Sequence, residues 1–130
     1  DGGRRGGGGG EGGGGEREVK EVKEPYGQLT LIESENIDYY NSKFALKIPY
    51  LNFRRNIVTK GIQLNDLVGK KLLIGKVKVE VIDLCRPCRH LTEVLKQDNI
   101  IKEFLRKGGL RCRILLSSKI KVKDQIKIIE

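Results

Sequence analysis

The sequence predicts a mostly β fold with short helices, an α+β domain whose strands form a barrel-like mixed sheet. In several short segments apolar residues alternate with charged ones, as they do on half-buried strands. Helical spacing of apolar residues occurs only in brief stretches between those segments. Short strands joined by brief helical crossovers are typical of a barrel-like sheet.

The first 24 residues differ in composition from the rest of the chain. Of the 17 glycines, 11 lie within the first 15 residues, and a segment without apolar side chains cannot offset the entropy of ordering. Residues 1–24 are therefore predicted to be a flexible, Gly-rich and charged segment, and residues 25–130 to be the folded domain. The charged residues 16–24 are typical of either a marginal helical turn or the lead-in to a strand.

The first elements of the domain are a strand, a short helix and a second strand. Residues 26–33 are rich in β-formers and predict a strand. Ser34 is a plausible cap for a helix over residues 35–42, because its hydroxyl can accept a bond from a free helical N–H. Strand character returns over residues 54–59.

The middle of the domain is predicted to contain a turn and a hairpin. Residues 61–69 read as a turn with a short helical piece, whose Leu64, Leu67 and Val68 pack inward. A hairpin follows around Gly75, and its second strand alternates Val with Lys and Glu. The ladder is expected to end at the proline of the next segment, which has no N–H.

Two helical patterns and the closing strands complete the domain. The first helix lies around residues 91–95, and Asp98 can cap a second one that ends at Gly108 and Gly109. Alternation returns over residues 110–116, with the arginines on the polar face. Residues 120–129 supply one or two closing strands.

Composition excludes several classes of protein. No apolar run approaches the ~20 residues of a membrane span, and no secretory signal peptide is visible. Three cysteines cannot form a complete disulfide framework, so we expect a reducing, cytoplasmic setting and no membrane partner. With no Met and no Trp, the core has to be built from Ile, Leu and Val.

The most reactive segment of the sequence is CRPCRH, residues 85–90. Cys85 and Cys88 lie three residues apart at the end of a strand, and Arg86, Arg89 and His90 lie beside them. Nearby positive charge lowers the pKa of a thiol and favours the thiolate, which is the nucleophile and the metal ligand. Cys88 and Cys85 are therefore the catalytic candidates. The competing interpretation is two small apolar residues at a strand end.

Zinc is a second interpretation of the cysteines. Cys85, Cys88, His90 and Cys112 make a three-Cys-one-His set. His90 follows Cys88 by two residues, an awkward spacing for one tetrahedral site, and Cys112 lies on the apolar face of its strand. Zinc is therefore disfavoured, and Cys112 is expected to be buried and inert.

Arginines form a further group of binding candidates. Arg54, Arg55 and Asn56 are consecutive, and Arg111 and Arg113 lie on the polar face of one strand. Arginine binds phosphate and carboxylate with two parallel hydrogen bonds. On a strand, Arg54 and Asn56 would share one face. A solvated strand edge would contain the same residues.

The positive charge of the domain also allows nucleic acid as a partner. Residues 1–24 carry 5 Lys and Arg against 6 Asp and Glu, whereas the remaining residues carry 21 against 11. The lysines are dispersed between apolar residues, as on solvent-facing strands, and no aromatic residues are interleaved with them for base stacking. Nucleic-acid binding is therefore disfavoured.

Three collinear segments together resemble one family. They are FRRNIVTKGIQLNDLVGKKLLIG at 53–75, VEVIDLCRPCRHL at 79–91 and GGLRCRILLSSKIKVKDQI at 108–126. Their order and spacing resemble the MOSC domain, named after the C-terminal domain of molybdenum cofactor sulfurase, over residues 26–130. The resemblance implies a β-barrel-like fold, the molybdenum cofactor (molybdopterin) as ligand, and a cysteine that binds molybdenum or carries sulfur.

The resemblance also implies roles for particular residues. The family's cysteine maps best onto Cys88, as metal ligand or persulfide carrier, with Cys85 as its neighbour. Arg54, Arg55 and Asn56 map onto the family's cofactor-binding strand. The other cofactor-binding candidates are arginines: Arg86, Arg89, Arg111 and Arg113.

Three functions remain open from the sequence. The first is a cofactor-dependent oxidoreductase, for example acting on N-hydroxylated compounds, or a sulfurtransferase, with a cysteine desulfurase or a redox protein as partner. The second is a non-catalytic binding module, because a Gly-rich stretch stands where family members usually have further strands. The third is a basic nucleic-acid-binding module.

Overall fold

A computed structural model describes residues 18–22, 28–85 and 89–129, with only the backbone described for residues 89–91. Most of the elements in these residues are strands, and the helices are short, so the predicted fold class is confirmed. The strands are β1 (Glu18–Val22), β2 (Gln28–Glu33), β3 (Ile57–Lys60), β4 (Lys71–Ile74), β5 (Val77–Leu84), β6 (Leu110–Leu116) and β7 (Ile126–Ile128). The helices are α1 (Ser34–Lys43), α2 (Arg89–Leu95) and α3 (Ile100–Glu103), with 3-10 turns at Tyr50–Phe53 and Leu64–Leu67.

The strands form a single mixed sheet in the order β1-β3-β2-β6-β5-β4-β7. Strands β2 and β3 are parallel, and the other neighbours are antiparallel. The two edges approach each other, because the Val19 N–H donates to the Asp124 carbonyl at 3.0 Å and Glu18 forms a bridge with Gln125. These bonds nearly close the sheet into a barrel.

The interior of this barrel is filled by aliphatic side chains. Strand residues of alternating position point inward, as the period of two predicts. The strands contribute Val19, Leu29, Leu31, Ile57, Leu72, Ile74, Val77, Val79, Val81, Leu110, Cys112 and Ile126. The 3-10 turn between β3 and β4 adds Leu64 and Leu67.

A second core lies outside the barrel, between the helices and strands β2 and β3. Its centre is aromatic: the Phe104 ring lies 5.2 Å from both the Tyr40 ring and the Phe53 ring, measured between centroids. Ile32 and Val58 point to this side of the sheet. The helices therefore cover one outer face of the barrel. No helix in the described residues is long and apolar enough to span a membrane.

Two predicted helix starts differ from the structure. Ser34 is the first residue of α1 rather than its cap, and Glu33 at the cap position makes no side-chain capping bond. Asn99 rather than Asp98 precedes α3. Helix α3 lasts a single turn and ends at Glu103, well before Gly108, and Ile101 and Leu105 are 47% and 67% exposed.

Two further predictions need correction. Residues 54–56 do not belong to a strand, because β3 begins at Ile57 and Arg54 has a left-handed φ of 63°. Val68 does not pack inward but is 44% exposed, since it lies just after the 3-10 turn that buries Leu64 and Leu67. Residues 16–24, left open between helix and strand, contain strand β1.

Gly109, just before β6, lies directly against the backbone of β2. Its φ is +100°, and a Cβ built there would lie 1.8 Å from the Leu31 carbonyl oxygen of β2. Only glycine permits both the backbone angle and the contact. Any other residue would push β6 away from β2.

Gly109→Ala should therefore be one of the most destabilising changes in the protein. We expect it to lower the free energy of unfolding in urea by about 3 kcal/mol or more, since backbone atoms have to move. Gly69→Ala is the matched control, with φ +85° but no atom within 4 Å of the added Cβ. It should cost only about 1 kcal/mol. Equal losses in the two variants would contradict the close approach at Gly109.

Candidate functional site

Cys85 is the cysteine of the predicted reactive segment, residues 85–90, that lies among the described residues. It directly follows β5, and its N–H donates to the Gly109 carbonyl at 2.8 Å, one step beyond the ladder between β5 and β6. The side chain is half-buried. The backbone of β6 therefore fixes where this thiol lies at the rim of the barrel.

Arg55 is anchored to the adjoining glycine. Its Nε donates to the Gly108 carbonyl at 2.8 Å, and its side chain is half-buried. Successive carbonyls of Gly108 and Gly109 thus hold Arg55 and Cys85 side by side. Sequence reasoning assigned the two glycines only to the end of a helix and missed this function.

Charges and burial act in opposite directions on the Cys85 thiol. Burial raises its pKa most strongly, Arg55 lowers it, Asp83 raises it and Arg111 lowers it, and the net shift is upward. The expected lowering of a thiol pKa is therefore wrong for Cys85, because desolvation outweighs two nearby arginines. In the free protein at neutral pH Cys85 is a thiol.

Two arginines of β6 form cross-strand ion pairs. Arg111 bonds Asp83 with two parallel contacts, Nε to Oδ1 at 2.9 Å and Nη2 to Oδ2 at 3.0 Å. Arg113 also pairs across the strands, but through a single contact from its Nη2 to Oε1 of Glu80. Arg111 remains near the Cys85 thiol, whereas Arg113 lies further along the strand. Both arginines lie on the polar face, as predicted, and the sequence did not reveal the carboxylates that pair with them.

The Arg54-Arg55-Asn56 segment is divided among three environments. Arg54 is exposed in its left-handed conformation, and Arg55 turns to Gly108. Asn56 is used internally, since its Oδ1 accepts from the Thr30 N–H at 2.9 Å and from the Thr30 hydroxyl at 3.1 Å. The prediction that Arg54 and Asn56 share a strand face is therefore wrong.

Cys112 lies in the barrel core. Its side chain is fully buried, and burial, followed by the neighbouring Cys85 thiol, raises its pKa to about 12. A thiol with this pKa is inert at neutral pH. The expectation of a buried, unreactive Cys112 is confirmed.

Several predicted site residues lie outside the described residues. Cys88 and Arg86 fall in 86–88, and the side chains of Arg89 and His90 are likewise not described. Within the residues that are described, no three His, Cys, Asp or Glu side chains are grouped as a metal site. The four-residue zinc set therefore stays untested.

The chain is similar to one known family and to several solved structures. Residues 20–127 match the MOSC domain family. YiiM from Geobacillus stearothermophilus superposes with a TM-score of 0.73 and 17% identity, covering 88% of this chain and 73% of that protein. YiiM from Escherichia coli superposes with a TM-score of 0.66 and 16% identity, covering 88% of this chain and 68% of that protein. No curated protein sequence matches the chain.

A third solved structure is similar over a shorter range. The YUAD protein from Bacillus subtilis superposes with a TM-score of 0.64 and 17% identity, and covers 77% of this chain and 62% of that protein. This chain therefore spans less than two thirds of the YUAD protein. At these identities the superpositions establish the fold alone.

The electrostatics of Cys85 can be tested by alkylation in a Cys88→Ser background. Arg55→Met removes the stronger pKa-lowering charge, so it should raise the pKa and slow the reaction with iodoacetamide a few-fold at pH 8. Asp83→Asn removes a pKa-raising charge and should speed it. The measurement is the rate of alkylation against pH, with Cys85→Ser/Cys88→Ser as the unreactive control. Slower alkylation of Asp83→Asn would contradict this account.

Asn56 should act on stability through its acceptor oxygen. Asn56→Ala leaves the N–H and the hydroxyl of Thr30 without their shared acceptor and should cost about 1–3 kcal/mol in urea unfolding. Asn56→Asp keeps a carboxylate oxygen in that place and should lose less than half as much. An Asn56→Ala protein as stable as the wild type would mean that the hydrogen bonds between Thr30 and Asn56 do not stabilise the contact of β2 with the start of β3.

Proposed function

The chain belongs to the MOSC domain family, and from this we propose that it binds molybdenum cofactor or carries sulfur through a cysteine thiolate of residues 85–88. Cys88 is the first candidate for this thiolate and Cys85 the second. The observation that carries the proposal is the rim arrangement: Arg55 and Arg111 both act on the Cys85 thiol, the Gly109 carbonyl fixes the Cys85 backbone, and the Gly108 carbonyl holds Arg55 beside it.

The chemistry of these donors fits the cofactor. A thiolate is a soft ligand, suited to a soft metal centre. The raised pKa of Cys85 would not prevent metal binding, because a metal replaces the thiol proton and binding is coupled to deprotonation. When bound, molybdenum supplies the redox chemistry that a side chain cannot.

Arginines at the rim would hold the phosphate of the pterin. Arg55 uses Nε for Gly108, and its terminal nitrogens have no partner among the described residues. Arg54 is exposed one residue earlier. Arg111 is already paired with Asp83, so it would add positive charge near the phosphate rather than bind it with two hydrogen bonds. Arg86 and Arg89 would add charge from the adjoining segment.

The same thiol would serve for sulfur transfer. The thiol would lose its proton and attack the outer sulfur of a persulfide on a cysteine desulfurase; a new S–S bond would form on this chain, the S–S bond of the donor would break, and the donor cysteine would leave as a thiolate that takes up a proton. Arg55 would stabilise the anionic persulfide product by its charge. We propose a cytoplasmic setting, since such a thiol has to stay reduced between cycles.

One observation favours a second candidate, a non-catalytic binding module with the same fold. The described thiol, Cys85, has a raised pKa, and one of its two arginines is neutralised by Asp83. A nucleophile that worked without a metal would need the opposite shift. Binding of a partner would then be independent of both cysteines.

Elemental analysis decides between these two functions. The full chain is made in a host that synthesises the cofactor, and Mo, Zn and sulfane sulfur are measured per mole of protein. We expect Mo or sulfane sulfur in the wild type and a loss of most of it in Cys88→Ser or Cys85→Ser. Cys112→Ala is the matched control, because it removes the buried thiol, and it should keep the wild-type content.

Wild-type protein without Mo or sulfane sulfur, and indistinguishable from both serine variants, would refute the cofactor and sulfur-carrier proposal. It would leave the binding module. A stoichiometric amount of Zn, lost in Cys112→Ala as well as in both serine variants, would instead indicate the three-Cys-one-His set.

A further inference from the structure

A cleft at the other end of the barrel contains four lysines among its nine lining residues. It lies where the β4–β5 hairpin turns and where the segment before β7 passes beside it, and its volume is about 590 Å³. Cys85 and this cleft lie at opposite ends of β5, roughly 25 Å apart along the strand. The residues lining the cleft are Leu73, Gly75, Lys76, Ser118, Lys119, Lys121, Asp124, Gln125 and Lys127.

The charge of this lysine cleft is unbalanced. Four ammonium groups, those of Lys76, Lys119, Lys121 and Lys127, share it with one carboxylate, that of Asp124. Asp124 is occupied, because its Oδ2 accepts the Lys121 backbone N–H at 2.8 Å. In the part of the chain that the structure describes, none of the four ammonium groups has an ion-pair partner. The cleft therefore attracts an anion.

The residue types in the lysine cleft distinguish between anions. It contains no aromatic residue on which a base could stack and no arginine to grip a phosphate with two bonds. Lysine is a flexible point charge that suits carboxylates spread along a chain. Two large apolar side chains stand exposed close in sequence to the lining residues: Val122, 51% exposed, follows Lys121, and Leu116, 60% exposed, lies two residues before Ser118. Interfaces commonly combine such apolar contacts with a charged rim.

We infer that the lysine cleft docks a segment of a partner protein in which acidic residues alternate with apolar ones. The carboxylates would meet the four lysines, and the apolar residues would cover Leu116 and Val122. Such a partner would leave the Cys85 rim free, because the two sites are at opposite ends of β5. The inference is independent of what the thiol binds.

The test measures fluorescence anisotropy of a fluorescein-labelled peptide of alternating Glu and Leu added to the full chain. The variant is Lys119→Glu/Lys121→Glu, two exposed side chains in the cleft. The matched control is Lys96→Glu/Lys102→Glu, which changes the net charge equally on the helical side. Thermal unfolding verifies that each variant is folded, and Lys76→Glu/Lys127→Glu is the substitute if the first variant is not.

We expect the peptide to bind the wild type, with about tenfold or more weakening in the cleft variant and little change in the control. The same peptide with Gln in place of Glu should not bind. Equal weakening in both charge variants, or no binding at all, would overturn the inference. Tighter binding of oligouridylate that is lost in the cleft variant would assign the cleft to nucleic acid instead. Displacement of the peptide by an equal concentration of inorganic triphosphate would assign it to small polyanions.

Discussion

The contact of Gly109 with the Leu31 carbonyl is the constraint on which the rest of the rim depends. It lets β6 begin directly against β2, and the two glycines before β6 then lie beside Arg55 and beside the residue that follows β5. The carbonyls of Gly108 and Gly109 receive Arg55 from one side and Cys85 from the other. A side chain at Gly109 would thus disturb the barrel, the arginine and the thiol together.

The rim balances charge against desolvation. Cys85 lies close enough to two arginines to sense both, yet burial still raises its pKa. Asp83 contributes twice to this result, by its own charge and by occupying Arg111. A raised pKa favours the protonated thiol, which oxidises more slowly than the thiolate because oxidants react with the thiolate. Arg55, which is not paired with Asp83, would still lie near a metal centre that replaced the Cys85 proton.

The sequence predicted best where periodicity decides the structure. The alternation of valines in β5 and the apolar face of β6 placed both strands, and the hairpin around Gly75 followed from them. It failed where a single backbone angle decides, as at Arg54, whose left-handed φ delays β3 until Ile57. The ion pairs of Arg111 and Arg113 could not be predicted from the sequence either, because the register of β5 against β6 depends on contacts distant in sequence.

Dispersal of charge along a chain does not imply dispersal in space. The lysines alternate with apolar residues, which indicated separate, solvent-facing strand positions. Strand β4 joins β5 at the hairpin and pairs with β7 on its other side, so both ends of the chain segment 75–127 meet at one end of the barrel. Lys76 and Lys127 therefore approach Lys119 and Lys121, although about fifty residues separate the first two. A positive charge that is evenly spread along the chain becomes local because the sheet brings the four lysines into one cleft, as the proposed docking of an acidic partner requires.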